Sequence, residues 1–153
     1  MFPSTVERVP LSTDPEVNDR IRQKTEKNVA RCAAEGLDGI NKRLTELNRE
    51  WDIERVLEMN ASSFILIGLL LGAAVHPAWY LFPAVVAGFL LMHAIQGWCP
   101  PVPILRRLRF RTASEIDYER YALKSLRGDF RDLPSAEQYD CTIAKQTVET
   151  MRQ

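Results

Sequence analysis

The chain has 153 residues, 46% of them hydrophobic, and its 20 basic residues balance 20 acidic ones to a formal net charge of zero. Those averages suit one ordinary soluble domain, and they exclude the basic excess that would mark a nucleic-acid partner. The averages mislead, because residues 59–105, between Glu58 and Arg106, contain no Asp, Glu, Lys or Arg.

The N-terminal flank opens irregularly with "MFPSTVERVPLSTDP". Asp14 before Pro15 has the form of a helix N-cap followed by a first-turn proline, which predicts a helix over 15–34. Its apolar stripe of Val17, Ile21, Val29 and Ala33 is thin and broken by charge. After Gly36, residues Leu37, Ile40, Leu44, Leu47 and Trp51 alternate spacings of three and four, the a/d pattern of a helical seam. Fewer than three heptads are present, so the seam is expected to pack on a neighbouring helix of the same chain.

The charge-free run divides in two. "ASSFILIGLLLGAAV" over 61–75 is followed by His76-Pro77-Ala78 and then by "WYLFPAVVAGFLLMHAIQGW" over 79–98. A hydrocarbon core about 30 Å thick takes roughly 20 apolar residues per helix. The second segment is long enough alone, whereas the first reaches about 22 Å unless its helix begins earlier. A start near Val56 is expected, with Glu54, Arg55 and Glu58 at headgroup level. Proline disfavours helix in the residue before it and suits a first turn, so His76-Pro77 reads as the turn of a hairpin. Trp51, Trp79, Tyr80 and Trp98 fall where amphipathic rings prefer the membrane boundary. A buried soluble hairpin and a shallow re-entrant hairpin are the weaker alternatives.

Gly68-x-x-x-Gly72 and Ala84-x-x-x-Gly88 place small residues one turn apart, which lets helix backbones approach closely. The partner is either the other helix of the hairpin or a second copy, and self-association is expected to run through Gly68 and Gly72 of the first span. Polar side chains within a membrane span invite a functional reading, and His93 is one. A hydrogen-bonded packing histidine is nevertheless favoured over a ligand or proton relay. His76 lies at the far end, and Cys32, Cys99 and Cys141 lack metal spacing, so neither a metal nor a cofactor is expected.

Arg49 and Arg55 precede the first segment and Arg106, Arg107, Arg109 and Arg111 follow the second, while the turn between them has no basic residue. The positive-inside rule puts both termini in the cytoplasm, where thiols stay reduced. No apolar stretch of signal-peptide type precedes the first segment, and none is expected. The 15 arginines against 5 lysines fit a bacterial source with a GC-rich genome. The four arginines at 106–111 read either as an anionic-lipid clamp or as topology determinants alone.

Beyond them, Thr112-Ala113-Ser114-Glu115 has the form of a capping box and predicts a helix to about Arg127, ended by Gly128. Ile116, Leu123 and Tyr121 are its packing residues. Asp132 or Ser135 caps a weak last helix with Tyr139, Ile143 and Met151 as a sparse stripe. No β-sheet and no phosphate-cradling glycine loop is expected.

The short motif Gly97-x-Cys99-Pro100 at the end of a two-helix hairpin resembles the YgaP-like inner-membrane domain family. Gly68 and Gly72 in the first span and Arg55 on the approach to it also match, and the resemblance covers roughly residues 52–112. It implies a small bacterial inner-membrane protein, in a family sometimes linked to rhodanese sulfurtransferase domains. The chain departs from the pattern after the proline, where Pro101-Val102-Pro103 and Arg106-Arg107 stand, and it has no rhodanese active-site loop. Sulfurtransferase activity is therefore not implied for it.

Cys99 keeps two readings. As a thiol or persulfide site it would sit near Arg106 and Arg107, which favour a thiolate. Against that, a helix C-terminus and partial burial disfavour the charged form. The favoured reading is structural, with Gly97 allowing close approach, Cys99 filling a small apolar space and the prolines ending the helix. The whole is expected to be all-α, with an N-terminal cytoplasmic helical region 1–51, a transmembrane helical hairpin 52–105 and a C-terminal cytoplasmic helical region 106–153. The expected role is a non-catalytic inner-membrane interaction module, self-associating or serving as an accessory subunit of a larger membrane complex. Sulfur or redox handling through Cys99 is the alternative.

Overall fold

Asp14 caps the first long helix, its carboxylate accepting from the Glu16 amide at 2.9 Å with Pro15 in the first turn. In the computed structural model, which describes residues 3–131 and position 147, every regular element is helical. A short α1 (Arg8–Leu11) precedes α2 (Pro15–Ala34). Gly36, at φ 74°, breaks the chain before α3 (Gly36–Leu47) continues in a new direction. The expected helix after Asp132, and Cys141 with it, lie outside the described residues.

Helix α4 (Ile53–Ala74) is capped by Asp52, which accepts from the Arg55 amide at 2.7 Å. The cap puts its start three residues before the expected Val56 and gives 22 residues, about 33 Å of helix. His76 then accepts the Ala78 amide on Nδ1 and opens a 3-10 turn over Pro77–Tyr80, which leads into α5 (Leu81–Gln96). The segment expected as one helix over 79–98 is thus a tight turn plus a shorter helix. Gly97 ends α5 in the left-handed region at φ 76°. Among the described residues, Ile53–Ala74 and Pro77–Gln96 are the two stretches long and apolar enough to cross a bilayer.

Pro100-Pro101-Val102-Pro103 was expected only to stop a helix, yet α6 (Val102–Arg107) starts there. Proline lacks only an amide that a first turn does not use, so Pro103 opens this helix and does not break it. Arg109, at φ 71°, then turns the chain toward α7 (Ala113–Arg127). The Thr112–Glu115 capping box forms in full, and Gly128 at φ 93° ends the helix as expected.

The described parts of the two flanks, which the sequence divides into regions 1–51 and 106–153, pack against each other through α2, α3 and α7. Helices α2, α3 and α7 contact one another and share a core of Cys32, Ile40, Leu44, Leu47, Ile116 and Leu123. The seam of α3 is used within the chain, although Leu37 and Trp51 at its ends are exposed. A second core of Val9, Ile53, Leu57, Cys99 and Val102 joins α1, the start of α4, the segment after α5 and the start of α6. The Ile53 amide donates to the Arg111 carbonyl at 2.8 Å, so the first turn of α4 is hydrogen-bonded to the segment after α6.

Candidate functional site

The motif around Cys99 is built by the N-terminal segment. The backbone of Arg8 and Val9 lies so close to Gly97 that a Cβ there would run into the Arg8 carbonyl. Arg8 Nη1 donates to the Ala94 carbonyl at 2.8 Å and Ser12 Oγ to the Gln96 carbonyl at 3.1 Å, covering carbonyls that the end of α5 leaves unpaired. Cys99 is 4% exposed among Val9, Ile53, Leu57 and Val102, and burial pushes its thiol up from the ordinary range. Neither Arg106 nor Arg107 supports a thiolate there: Arg106 is committed elsewhere and Arg107 is exposed. Cys99 and the exposed Pro100 also form part of the wall of an apolar groove of about 190 Å³ that includes Phe64 of α4 and Phe89 of α5.

The four arginines do not act as one set. Arg106 is fully buried and grips Glu115 with both terminal nitrogens, at 2.7 and 2.8 Å, while Nη2 also donates to Asn18 Oδ1 at 2.8 Å. Arg111, also buried, forms a two-pronged pair with Glu50 at 2.8 and 2.7 Å and a further pair with Glu119. Glu119 has no exposed side-chain surface and accepts from Arg43 as well, at 2.7 Å. Only Arg107 and Arg109 are exposed. The expected lipid clamp is therefore reduced by half, because the other two guanidiniums are already paired with carboxylates of the same chain.

The electrostatics of this buried network follow from its pairing. Burial alone would raise the carboxyls of Glu115 and Glu119, but hydrogen bonds from Arg106 and from Arg43 and Arg111 outweigh it and hold both below the usual range. Arg43 and Arg111 are correspondingly held charged, their carboxylate partners outweighing the burial that works against them. These buried pairs join α2, α3, α6 and α7 with Glu50 before α4 and Arg111 before α7.

The two small-residue pairs also part company. A Cβ on Gly68 would stand 2.5 Å from Pro83 Cδ and one on Gly72 2.6 Å from the Tyr80 ring, so both glycines seat the turn and α5 of the same chain. Ala84 is exposed, and a Cβ added at Gly88 would meet nothing. The open small-residue face is thus on α5, not on α4.

His93 is 5% exposed and neither ring nitrogen has a hydrogen-bond partner, in contrast to the hydrogen-bonded packing role expected of it. Among the described residues no cluster of His, Cys, Asp and Glu is arranged to hold a metal ion. Sequence reasoning missed Arg8 and the inward role of Glu54. The spacing of Glu54 and Glu58, one helical turn apart, was the available signal for the acidic side, whereas nothing local marked Arg8. Comparison with protein-family models, curated proteins and solved structures gives no match.

Proposed function

We propose that this chain is a two-span bacterial inner-membrane protein, with α4 and α5 as a transmembrane hairpin and both flanks forming one cytoplasmic helical body. Its role is that of a non-catalytic interaction module, either self-associating or an accessory subunit of a larger membrane complex. The observation that carries this reading is the apolar surface that the chain leaves uncovered. Only 28% and 11% of the most apolar windows of the two stretches are buried by the rest of the chain, whereas the core helix of a soluble protein would be mostly covered. Lipid is the solvent that makes such a surface favourable, and the absence of charge from 59 to 105 fits it.

Association runs through the free face of α5, where Ala84 and Gly88 let another helix approach, while Gly68 and Gly72 serve the hairpin itself. Arg107 and Arg109 face anionic headgroups, each contributing about 1 kcal/mol near a negative surface. The resemblance to the YgaP-like family belongs to the same proposal. A sulfur- or redox-handling role for Cys99 draws on its place in the groove wall, but its burial and raised thiol range oppose it.

The test is residence and sidedness in native membranes. The chain should resist alkaline carbonate extraction, and single cysteines introduced at Glu46 and Ser125 should react with a thiol reagent only after the inner membrane is made permeable. Labelling of either flank from the periplasmic side would overturn the two-span topology.

A further inference from the structure

Helix α6 leaves one face outside the fold. Val102 and Arg106 are completely buried on its inner side, whereas Ile104 is 63% and Leu108 66% exposed. With the exposed Pro101 they stand at i, i+3 and i+7, which is one stripe along a helix surface. Arg107 and Arg109 flank that stripe and are exposed as well. The sequence has no Asp or Glu between Glu58 and Glu115, so the charge this segment carries is wholly positive.

The depth of α6 follows from its neighbours. It packs against α4, and Pro100 and Pro101 at its start share the wall of the 190 Å³ groove with Ala61 and Phe64 of α4 and Val86 and Phe89 of α5. All four of those helix residues belong to the charge-free run. The start of α6 therefore lies beside the apolar part of the hairpin. Its other end, about 9 Å away, is held to the helical body where Arg106 meets Glu115 and Asn18. The apolar stripe thus runs between the groove and the body, and the two exposed arginines stand at the end nearer the body.

We propose that α6 is an interfacial helix, with Ile104 and Leu108 entering the acyl boundary of an anionic leaflet and Arg107 and Arg109 donating to its headgroup phosphates. This rests on the membrane reading above and extends the bilayer contact beyond the two spans. An apolar stripe with arginines beside it suits the boundary between hydrocarbon and headgroups, where each part meets its own solvent. A second copy fits less well, because a two-fold contact through this stripe would set the arginines of both chains against each other. An acidic soluble partner answers the arginines but cannot follow Pro101 down beside the hairpin.

The test measures the reaction of single cysteines with a bulky, uncharged polyethylene glycol maleimide on the full chain, in nanodiscs of equal parts phosphatidylglycerol and phosphatidylcholine with one chain per disc. Ile104→Cys and Leu108→Cys probe the stripe, and Ser125→Cys and Leu126→Cys the far end of α7; all four positions are exposed, so the substitutions leave the packing intact. The unaltered chain supplies the background of the native thiols. Positions 104 and 108 should react about tenfold more slowly than 125 and 126, since an apolar side chain given a bilayer spends little time in water. Discs of phosphatidylcholine alone should raise both slow rates about fivefold, the attraction of one arginine to a negative surface. Equal rates at all four positions in a chain that resists carbonate extraction would overturn the interfacial helix alone, and release by carbonate would overturn the membrane reading with it. Slow reaction at Leu126→Cys as well would lay the whole body on the lipid and remove the assignment to α6. Protection that appears only with two chains per disc, or only in native membranes, would assign the stripe to a second copy or to another protein and overturn the lipid contact. Rates indifferent to phosphatidylglycerol would overturn the role of Arg107 and Arg109.

Discussion

Replacing Glu119 by glutamine removes the negative charge at the centre of the helical body while keeping its shape. Arg43 donates to this carboxylate through Nε and Nη2, at 2.7 and 3.2 Å, and Arg111 donates through Nη1. Removing one partner of a buried charge pair costs about 3–5 kcal/mol. Glu50 lies within 3.4 Å of Arg43 and 2.7 Å of Arg111 and takes up part of the loss, which brings the expected destabilisation to about 2–3 kcal/mol. At 1.4 kcal/mol per factor of ten, opening of the body becomes roughly 30- to 140-fold more frequent. Hydrogen exchange of the most protected amides of α3 and α7 in nanodiscs measures this directly. Glu46→Gln is the control, because Glu46 is 49% exposed and its pair with Arg43 contributes about 0–1 kcal/mol. If the slowest α7 amides of Glu119→Gln exchange within twofold of the unaltered chain, the network does not hold the body together.

Acid should loosen the same body: Glu115 and Glu119 have depressed folded-state ranges, so their contribution is complete above the unfolded carboxyl value of about 4.3 and is lost as pH falls through the lower folded values. Circular dichroism and exchange followed downward from pH 6 would show a flat region and then a decline; a decline centred near pH 6 would point to another group. Gly97→Ala places a Cβ in the left-handed region and against Arg8, so the N-terminal segment should detach and become far more sensitive to limited proteolysis between Ser4 and Asp14. Gly88→Ile should weaken crosslinking between copies while leaving the chain folded, whereas Gly68→Ile should disturb the fit of Pro83 and Phe82 within each copy; the reverse ranking would move the interface to α4. Cys99 should react with maleimide in membranes at least tenfold more slowly than an exposed cysteine introduced at Ser125, and equal rates would reopen its role as a chemical centre.

Features written in a few adjacent residues were legible in the sequence. Asp14-Pro15 marked the start of α2, Thr112 with Glu115 the start of α7 and Gly128 its end, because caps act within a single turn. The two apolar stretches were equally plain from the missing charges. What stayed hidden depended on partners far along the chain. Arg111 meets Thr25 across 86 residues and Glu50 across 61, so nothing near it distinguished a buried guanidinium from a lipid-facing one. Arg8 lies in an irregular stretch with no periodicity to announce that it covers the end of α5. The proline run at 100–103 carried two meanings, a stop and a first turn, and both were realised within four residues.

The bond from the Ile53 amide to the Arg111 carbonyl, with the charged pairs around it, joins parts of the chain made at different times. A ribosome adding roughly 5–20 residues per second completes α2 and α3 several seconds before α7 exists. During that interval Ile40, Leu44 and Leu47 lack their cover, and Arg43 lacks Glu119. On the membrane reading, closure comes only after both apolar helices have been inserted in the right sense, since reversing one would leave α7 across the bilayer from α3. The folded body is then a record of correct biogenesis, and a wrongly threaded chain displays a sticky, half-neutralised surface that chaperones and proteases can recognise.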